Sequence, residues 1–152
     1  MPTPDGISDA NWNRIHELAL LLLKHADDKT KPRYRRRLLS CLDRLEKKYG
    51  LLPSILATRA DFISNSRQQE KLFLRAYCLA KSRHDGTNLL YVSHSLAELY
   101  VENLKNVVKS GKWLRIFNEH LAETPAIPGS TKSMTVCGSY PSMSVDPLPK
   151  GG

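Results

Sequence analysis

The chain has 152 residues, 41% of them hydrophobic and 25% charged, a size and composition that suit one ordinary globular domain. Its net charge of +8 would attract an acidic protein surface or a phosphate backbone.

The longest apolar run, residues 18–23, is too short to cross a bilayer, and Asp5 and Asp9 stand where a signal peptide needs positive charge. Three widely spaced cysteines form no CxxC motif. We therefore expect a cytoplasmic protein with reduced thiols and no contact with a membrane.

The first part of the chain predicts a flexible arm followed by two helices. Residues 1–7 contain two prolines and one glycine, which favour irregular structure. Apolar residues then recur at helical spacing over residues 9–25 and again over residues 32–49, where Gly50 is typical of a helix end. A helical-hairpin domain is therefore expected to span residues 8–123.

One face of the second predicted helix is strongly basic. Four cations spaced four, seven and four residues apart form what we term the basic stripe: Arg33, Arg37, Arg44 and Lys48. Clustered cations on one helix face can neutralise phosphates or an acidic protein surface. The alternative is a solvated face whose long side chains cover their apolar neighbours.

The next four predicted helices form two similar halves. A shift of forty residues places Leu56 on Leu96 and Phe73 on Trp113. Each half predicts two helices joined by a short polar turn, as in helical arrays whose hairpins bury their apolar faces by stacking. The fifth helix is apolar on nearly all sides and is expected to be the most buried.

These two halves resemble tetratricopeptide repeats (TPR), which serve as protein-binding scaffolds. The resemblance rests on Leu56, Ala57, Phe73, Tyr77, Ala80, Leu96, Ala97, Tyr100, Leu114 and Phe117. The period departs from the usual length of about thirty-four residues, so HEAT-type and other helical hairpins are the alternatives. The TPR-like resemblance implies about six antiparallel helices stacked as hairpins, with a groove that holds a peptide or protein. Arg59 and His94 are the residues expected in that groove.

The end of the helical region carries three further expectations. Gly111 inside the sixth predicted helix is expected to mark the close approach of another helix. The end of the array at Trp113 and Phe117 has no polar cap, which allows a homodimer. Residues 124–152 are rich in Pro, Gly, Ser and Thr without periodicity, which predicts a disordered tail.

Two pairs of residues have spacings that could form a chemical site. Arg115 and His120 have the spacing that HEPN helical ribonucleases use for phosphodiester cleavage, although Ile116 occupies a position that is usually polar there. His94 and Glu98 share a helix face and would supply half a metal site, but no second ligand pair has comparable spacing. Neither pair indicates an enzyme, so we predict no catalytic residues, no metal and no cofactor.

The sequence therefore predicts an all-α, non-catalytic binding module, such as an adaptor, a chaperone or an immunity-type inhibitor. A helical groove and the basic stripe would hold an acidic or amphipathic protein partner. Nucleic-acid binding by the same stripe is the main alternative, and a HEPN-like ribonuclease is the other.

Overall fold

A computed structural model describes residues 2–25 and 29–124, which contain six α-helices and no strand. In chain order the helices are α1 Asp9–Lys24, α2 Lys31–Tyr49, α3 Pro53–Asp61, α4 Ser66–Ser82, α5 Gly86–Glu102 and α6 Val107–Glu123. The all-α prediction is confirmed. Beyond Thr124, the predicted tail lies outside the described residues. No helix in the described ranges has both the length and the apolar character needed to cross a membrane.

Two hydrophobic clusters form the core, and they meet at α3. The first cluster combines residues of α1 and α2 with Ile55, and the second combines Leu56 with residues of α4, α5 and α6. Ile55 and Leu56 are neighbours in the chain, and both are buried. A helix of nine residues thus contributes to both clusters, and seven of its nine residues are buried.

The N-terminal residues 2–7 pack against the protein, unlike the flexible arm that the sequence predicts. Ile7 is fully buried in the first cluster, and its backbone N–H donates to Oγ1 of Thr3 at 2.8 Å. Asp5 accepts a hydrogen bond through Oδ2 from the backbone N–H of Ser54 at 2.7 Å. The proline- and glycine-containing segment therefore forms a turn, because one buried apolar side chain and these hydrogen bonds fix it.

Replacing Asp5 with alanine is expected to lower the free energy of unfolding by about 1 kcal/mol, because the first turn of α3 loses its side-chain acceptor. Urea denaturation measures the loss, and hydrogen exchange at the Ser54 amide localises it. Asp5→Asn keeps an acceptor oxygen and should lose less. Equal losses in the two variants would show that the charge matters rather than the hydrogen bond.

The two sequence halves have similar burial at their matching positions but differ in helix length. Leu56 and Leu96 are both buried, as are Ala57 and Ala97. However, α3 has 9 residues and α5 has 17, so the match begins about two turns into α5. The forty-residue repeat and the antiparallel hairpins therefore stay interpretations of the sequence.

Helices α5 and α6 differ sharply in burial. Ten residues of α5 are buried, more than in any other described helix, whereas α6 buries only Ser110 and Trp113. For the described part of the chain the prediction about Gly111 is wrong, because no side chain or other helix there lies within 4 Å of the place where its Cβ would stand. The adjacent Ser110 makes the contact instead, and its hydroxyl donates to the carbonyl oxygen of Ala97 at 2.8 Å. Residues 2–25 and 29–124 therefore leave the outward side of α6 exposed.

Candidate functional site

A groove of about 250 Å³ lies between α1 and α2. Two contacts align these helices. Asn11 Nδ2 donates to the hydroxyl of Tyr49 at 2.6 Å, and the rings of His25 and Tyr34 lie with their centroids 5.8 Å apart. The groove is lined by Ala10, Asn11, Arg14, Cys41, Arg44, Leu45 and Lys48.

Three cations border this groove, and none of the described residues that line it is acidic. Arg44 and Lys48 belong to the basic stripe, and Arg14 joins them from α1. Arg44 Nη2 donates to Sγ of the buried Cys41 at 3.0 Å, which fixes its guanidinium beside the groove. Arg14 Nη1 lies 3.2 Å from Oε2 of Glu17, an exposed ion pair that typically contributes less than about 1 kcal/mol. The arrangement can therefore bind a carboxylate or phosphate group.

The structure separates the two halves of the basic stripe. Arg33 and Arg37 are exposed on α2, outside the residues that line the groove. Arg44 and Lys48 lie at the groove together with Arg14, which sequence analysis missed. No signal in the sequence identifies Arg14, because its place depends on which face of α1 docks against α2.

Arg59 joins α3 to α2 through two ion pairs. Its guanidinium donates to Asp43 Oδ1 at 2.6 Å and to Glu46 Oε2 at 2.8 Å. Contact with a partner would have to compete with both carboxylates. The partner-binding role of Arg59 stays a prediction, and its two ion pairs show a structural contact between α3 and α2.

His94 is also occupied by contacts within the protein. Its ring meets that of Phe117 edge to face, with the centroids 5.4 Å apart, and its Nδ1 lies 3.8 Å from Glu98 Oε1. The side chain is largely buried between α5 and α6. His94 and Arg59 do not line the groove between α1 and α2, so the structure does not bring the predicted site residues into one place.

The proposed ribonuclease pair is not assembled among the described residues. Arg115 is exposed, whereas Nε2 of His120 lies 2.8 Å from the hydroxyl of Tyr77 and Nδ1 lies 3.5 Å from Oε2 of Glu123. His120 thus connects α6 with α4. No contact between Arg115 and His120 brings them to a common substrate position.

A second, smaller pocket of about 120 Å³ lies between α3, α4 and α5. The hydroxyl of Tyr91 donates a hydrogen bond to Asp61 Oδ2. Burial raises the pKa of Asp61 to about 7, and the charge of Glu98 adds to this effect, while the hydrogen bond from Tyr91 opposes it. Burial also raises the pKa of Glu98. Within residues 2–25 and 29–124, no three His, Cys, Asp or Glu side chains are placed as metal ligands would be.

No protein-family model, curated protein or solved structure matches this chain. The chemistry of the groove between α1 and α2 is therefore the main indication of what this protein does.

Proposed function

We propose that this protein is a cytoplasmic, non-catalytic binding module that holds an acidic or amphipathic protein partner at the groove between α1 and α2. The observation that carries this proposal is the placement of Arg14, Arg44 and Lys48 around a partly apolar groove. An adaptor, a chaperone or an immunity-type inhibitor could use such a site to hold its partner. The TPR-like resemblance of the later helices supports the same class of function.

The groove suits a side chain that combines a carboxylate with an apolar stem. Leu45 and Ala10 supply apolar surface, and the three cations stand at its borders. A hydrogen bond to a charged group contributes roughly 1.5–3 kcal/mol. Arg44 is already held by Cys41, so less side-chain freedom is lost when it binds. A glutamate next to an apolar residue in the partner would use both parts of the groove.

Nucleic acid is the less favoured ligand, because the two tyrosines beside the basic stripe already make contacts within the protein, and Lys48 Nζ lies 5.5 Å from the centroid of the Tyr49 ring. Tyr34 and Tyr49 are the aromatic residues of α2, and both pack against the first hydrophobic cluster. Proteins that bind single strands without sequence preference usually combine cations with stacking aromatic side chains. The stripe alone would give only salt-sensitive contacts with phosphates.

The proposal is tested by charge reversal in the groove with a control of equal charge. The double variant Arg14→Glu/Arg44→Glu is expected to weaken binding of a peptide that alternates Glu and Leu by at least about tenfold, or 1.4 kcal/mol. The control Arg36→Glu/Lys47→Glu changes the net charge by the same amount at exposed positions outside the groove lining. Fluorescence anisotropy measures both affinities, and circular dichroism confirms that the variants fold.

A single-stranded RNA of similar net charge separates the two ligand classes. If the proposal is correct, peptide binding depends on the groove variant and falls less steeply with salt than RNA binding does, and the RNA is recovered uncut. Equal losses of peptide binding in the groove and control variants would contradict a specific site. Tighter binding of RNA than of the peptide, with a steep salt dependence, would favour the nucleic-acid alternative.

A further inference from the structure

The cations at the groove between α1 and α2 have little counter-charge of their own. Among residues 2–25 and 29–124, no carboxylate forms an ion pair with Arg44 or Lys48. Arg14 has an exposed ion pair with Glu17 at 3.2 Å. Cations that converge repel one another, so a carboxylate supplied from beyond the groove lining would stabilise all three.

A stretch of the chain that follows α6 has the complementary chemistry. Asp146 is the only acidic residue in residues 125–152, and the apolar Leu148 follows it two positions later. The two cations of this stretch, Lys132 and Lys150, are at least four positions away from Asp146. A carboxylate close to an apolar side chain is the combination that the groove suits. We term Val145, Asp146, Pro147 and Leu148 the acidic segment.

Prolines restrict the backbone of the acidic segment. One proline follows Asp146 and another follows Leu148, at positions 147 and 149. A residue before proline favours an extended backbone, in which side chains two positions apart lie on the same side. We therefore expect Asp146 and Leu148 to meet one surface together, the carboxylate at the cations and the leucine at Leu45. Because the prolines restrict the chain before it binds, less conformational freedom is lost on binding.

The connection from α6 is long enough to reach the groove. Residues 125–144 join Thr124 to the acidic segment. A chain of this length spans roughly 70 Å when fully extended and about 25 Å on average as a random coil. A compact domain of the size described has a radius of gyration of about 14 Å. Such a tether gives an effective concentration of about 1 mM, so a contact with a dissociation constant of about 0.3 mM fills the groove in roughly three quarters of the molecules.

We propose that the acidic segment binds in the groove between α1 and α2 of its own chain and competes there with the protein partner. Asp146 supplies the carboxylate that Arg44 and Lys48 lack, and Leu148 covers the apolar surface at Leu45. A partner has to displace the segment, so an occupancy of three quarters lowers its apparent affinity about fourfold. The competition depends on the groove being the partner-binding site, whereas the contact between segment and groove does not.

Amide NMR spectra of the full chain test the contact without any partner. Asp146→Asn/Leu148→Ser is expected to shift the backbone amide signals of residues that line the groove, such as Arg44. Ser133→Lys/Met134→Ser is the matched control, because it also raises the net charge by one and removes one apolar side chain from the same stretch. Unchanged groove signals in the first variant, or equal shifts in the control, would overturn the proposal.

The reverse experiment changes the groove and observes the acidic segment. Arg14→Glu/Arg44→Glu should shift the amide signal of Leu148, whereas Arg36→Glu/Lys47→Glu should leave it in place. Both spectra are repeated after tenfold dilution, and the shifts should not depend on concentration. Shifts that vanish on dilution would mean that a second copy supplies the segment, which would refute binding within one chain.

The competition is measured with the peptide that alternates Glu and Leu. Fluorescence anisotropy should show that Asp146→Asn/Leu148→Ser binds this peptide about fourfold more tightly than the wild type does, and that the matched control binds it like the wild type. Equal affinities in the two variants would refute the competition. If no version bound the peptide while the amide signals still shifted, the proposed partner function would be wrong and the contact would stand.

Discussion

Replacing Trp113 with alanine is expected to lower the free energy of unfolding by about 3–5 kcal/mol. Trp113 is the large buried side chain by which α6 is held, and it is only 8% exposed. Its ring meets that of Tyr77 edge to face, with the centroids 4.9 Å apart and the planes at 82°. Such a geometry adds roughly 0.5–1.5 kcal/mol beyond the burial of area. Removal of the indole therefore costs both burial and a ring contact.

Urea denaturation measures this loss, and hydrogen exchange shows where it acts. The backbone amide hydrogens of α6 should exchange faster in Trp113→Ala than in the wild type. The ranking of exchange rates among the amides of α1 should stay the same. Val108→Ala is the control on the same helix, because Val108 is 84% exposed and should change stability by less than about 0.5 kcal/mol. If Val108→Ala cost as much as Trp113→Ala, the loss in Trp113→Ala would not come from the burial of its indole, because alanine has a higher helix propensity than valine.

The helices themselves were predictable, because their apolar residues recur at helical spacing and their ends carry local signals. The helix predicted over residues 32–49 agrees within one residue with α2, which has Pro32 in its first turn and Gly50 at its end. The same periodicity did not separate Trp113 from Leu114, since both belong to the apolar pattern of α6. Only the packed structure distinguishes them, because the described chain covers one side of this helix and leaves the other open.

Only part of the candidate site could be predicted from the sequence, because the rest depends on how the helices pack against one another. The spacing of Arg44 and Lys48 on one helix placed both on one face, and the structure brings them to the same groove. Arg14 lies on another helix, and the engagement of Arg59 by Asp43 depends on how α3 meets α2. The spacing of residues along one helix determines which side chains share a face. The packing between helices determines which side chains from different helices lie close together.

The free energy of unfolding is expected to fall as the pH rises from about 4 to about 7, through Asp61. Burial raises its pKa from the ordinary 3.8 to about 7. The folded protein therefore keeps a proton that the unfolded chain releases near pH 4, so the folded state binds more protons between these values. Stability decreases with pH wherever the folded state holds the additional proton. The decrease is on the order of a few kcal/mol and levels off above the folded pKa.

Glu70 acts in the opposite direction and in a different pH range. The hydroxyl of Tyr100 donates to Glu70 Oε1 at 2.7 Å, and this hydrogen bond holds the pKa of Glu70 below its ordinary 4.5. Its contribution to stability is present above pH 4.5 and is lost as the pH falls through the lowered pKa. The two carboxyls therefore affect the stability profile on opposite sides of roughly pH 4.

Asp61→Asn isolates the contribution of Asp61, because an amide resembles the protonated carboxyl and does not ionise. Urea denaturation from pH 4 to pH 8 should give similar stabilities for wild type and Asp61→Asn at the acidic end and a more stable variant at pH 7. Tyr91→Phe removes the hydrogen bond that favours the charged carboxylate, so the pKa of Asp61 should rise further and extend the decrease to higher pH. Parallel profiles for wild type and Asp61→Asn would mean that Asp61 ionises in the folded protein at its ordinary pKa. In that case the pocket between α3, α4 and α5 admits enough water to solvate the charge, since desolvation is the main cause of the shift.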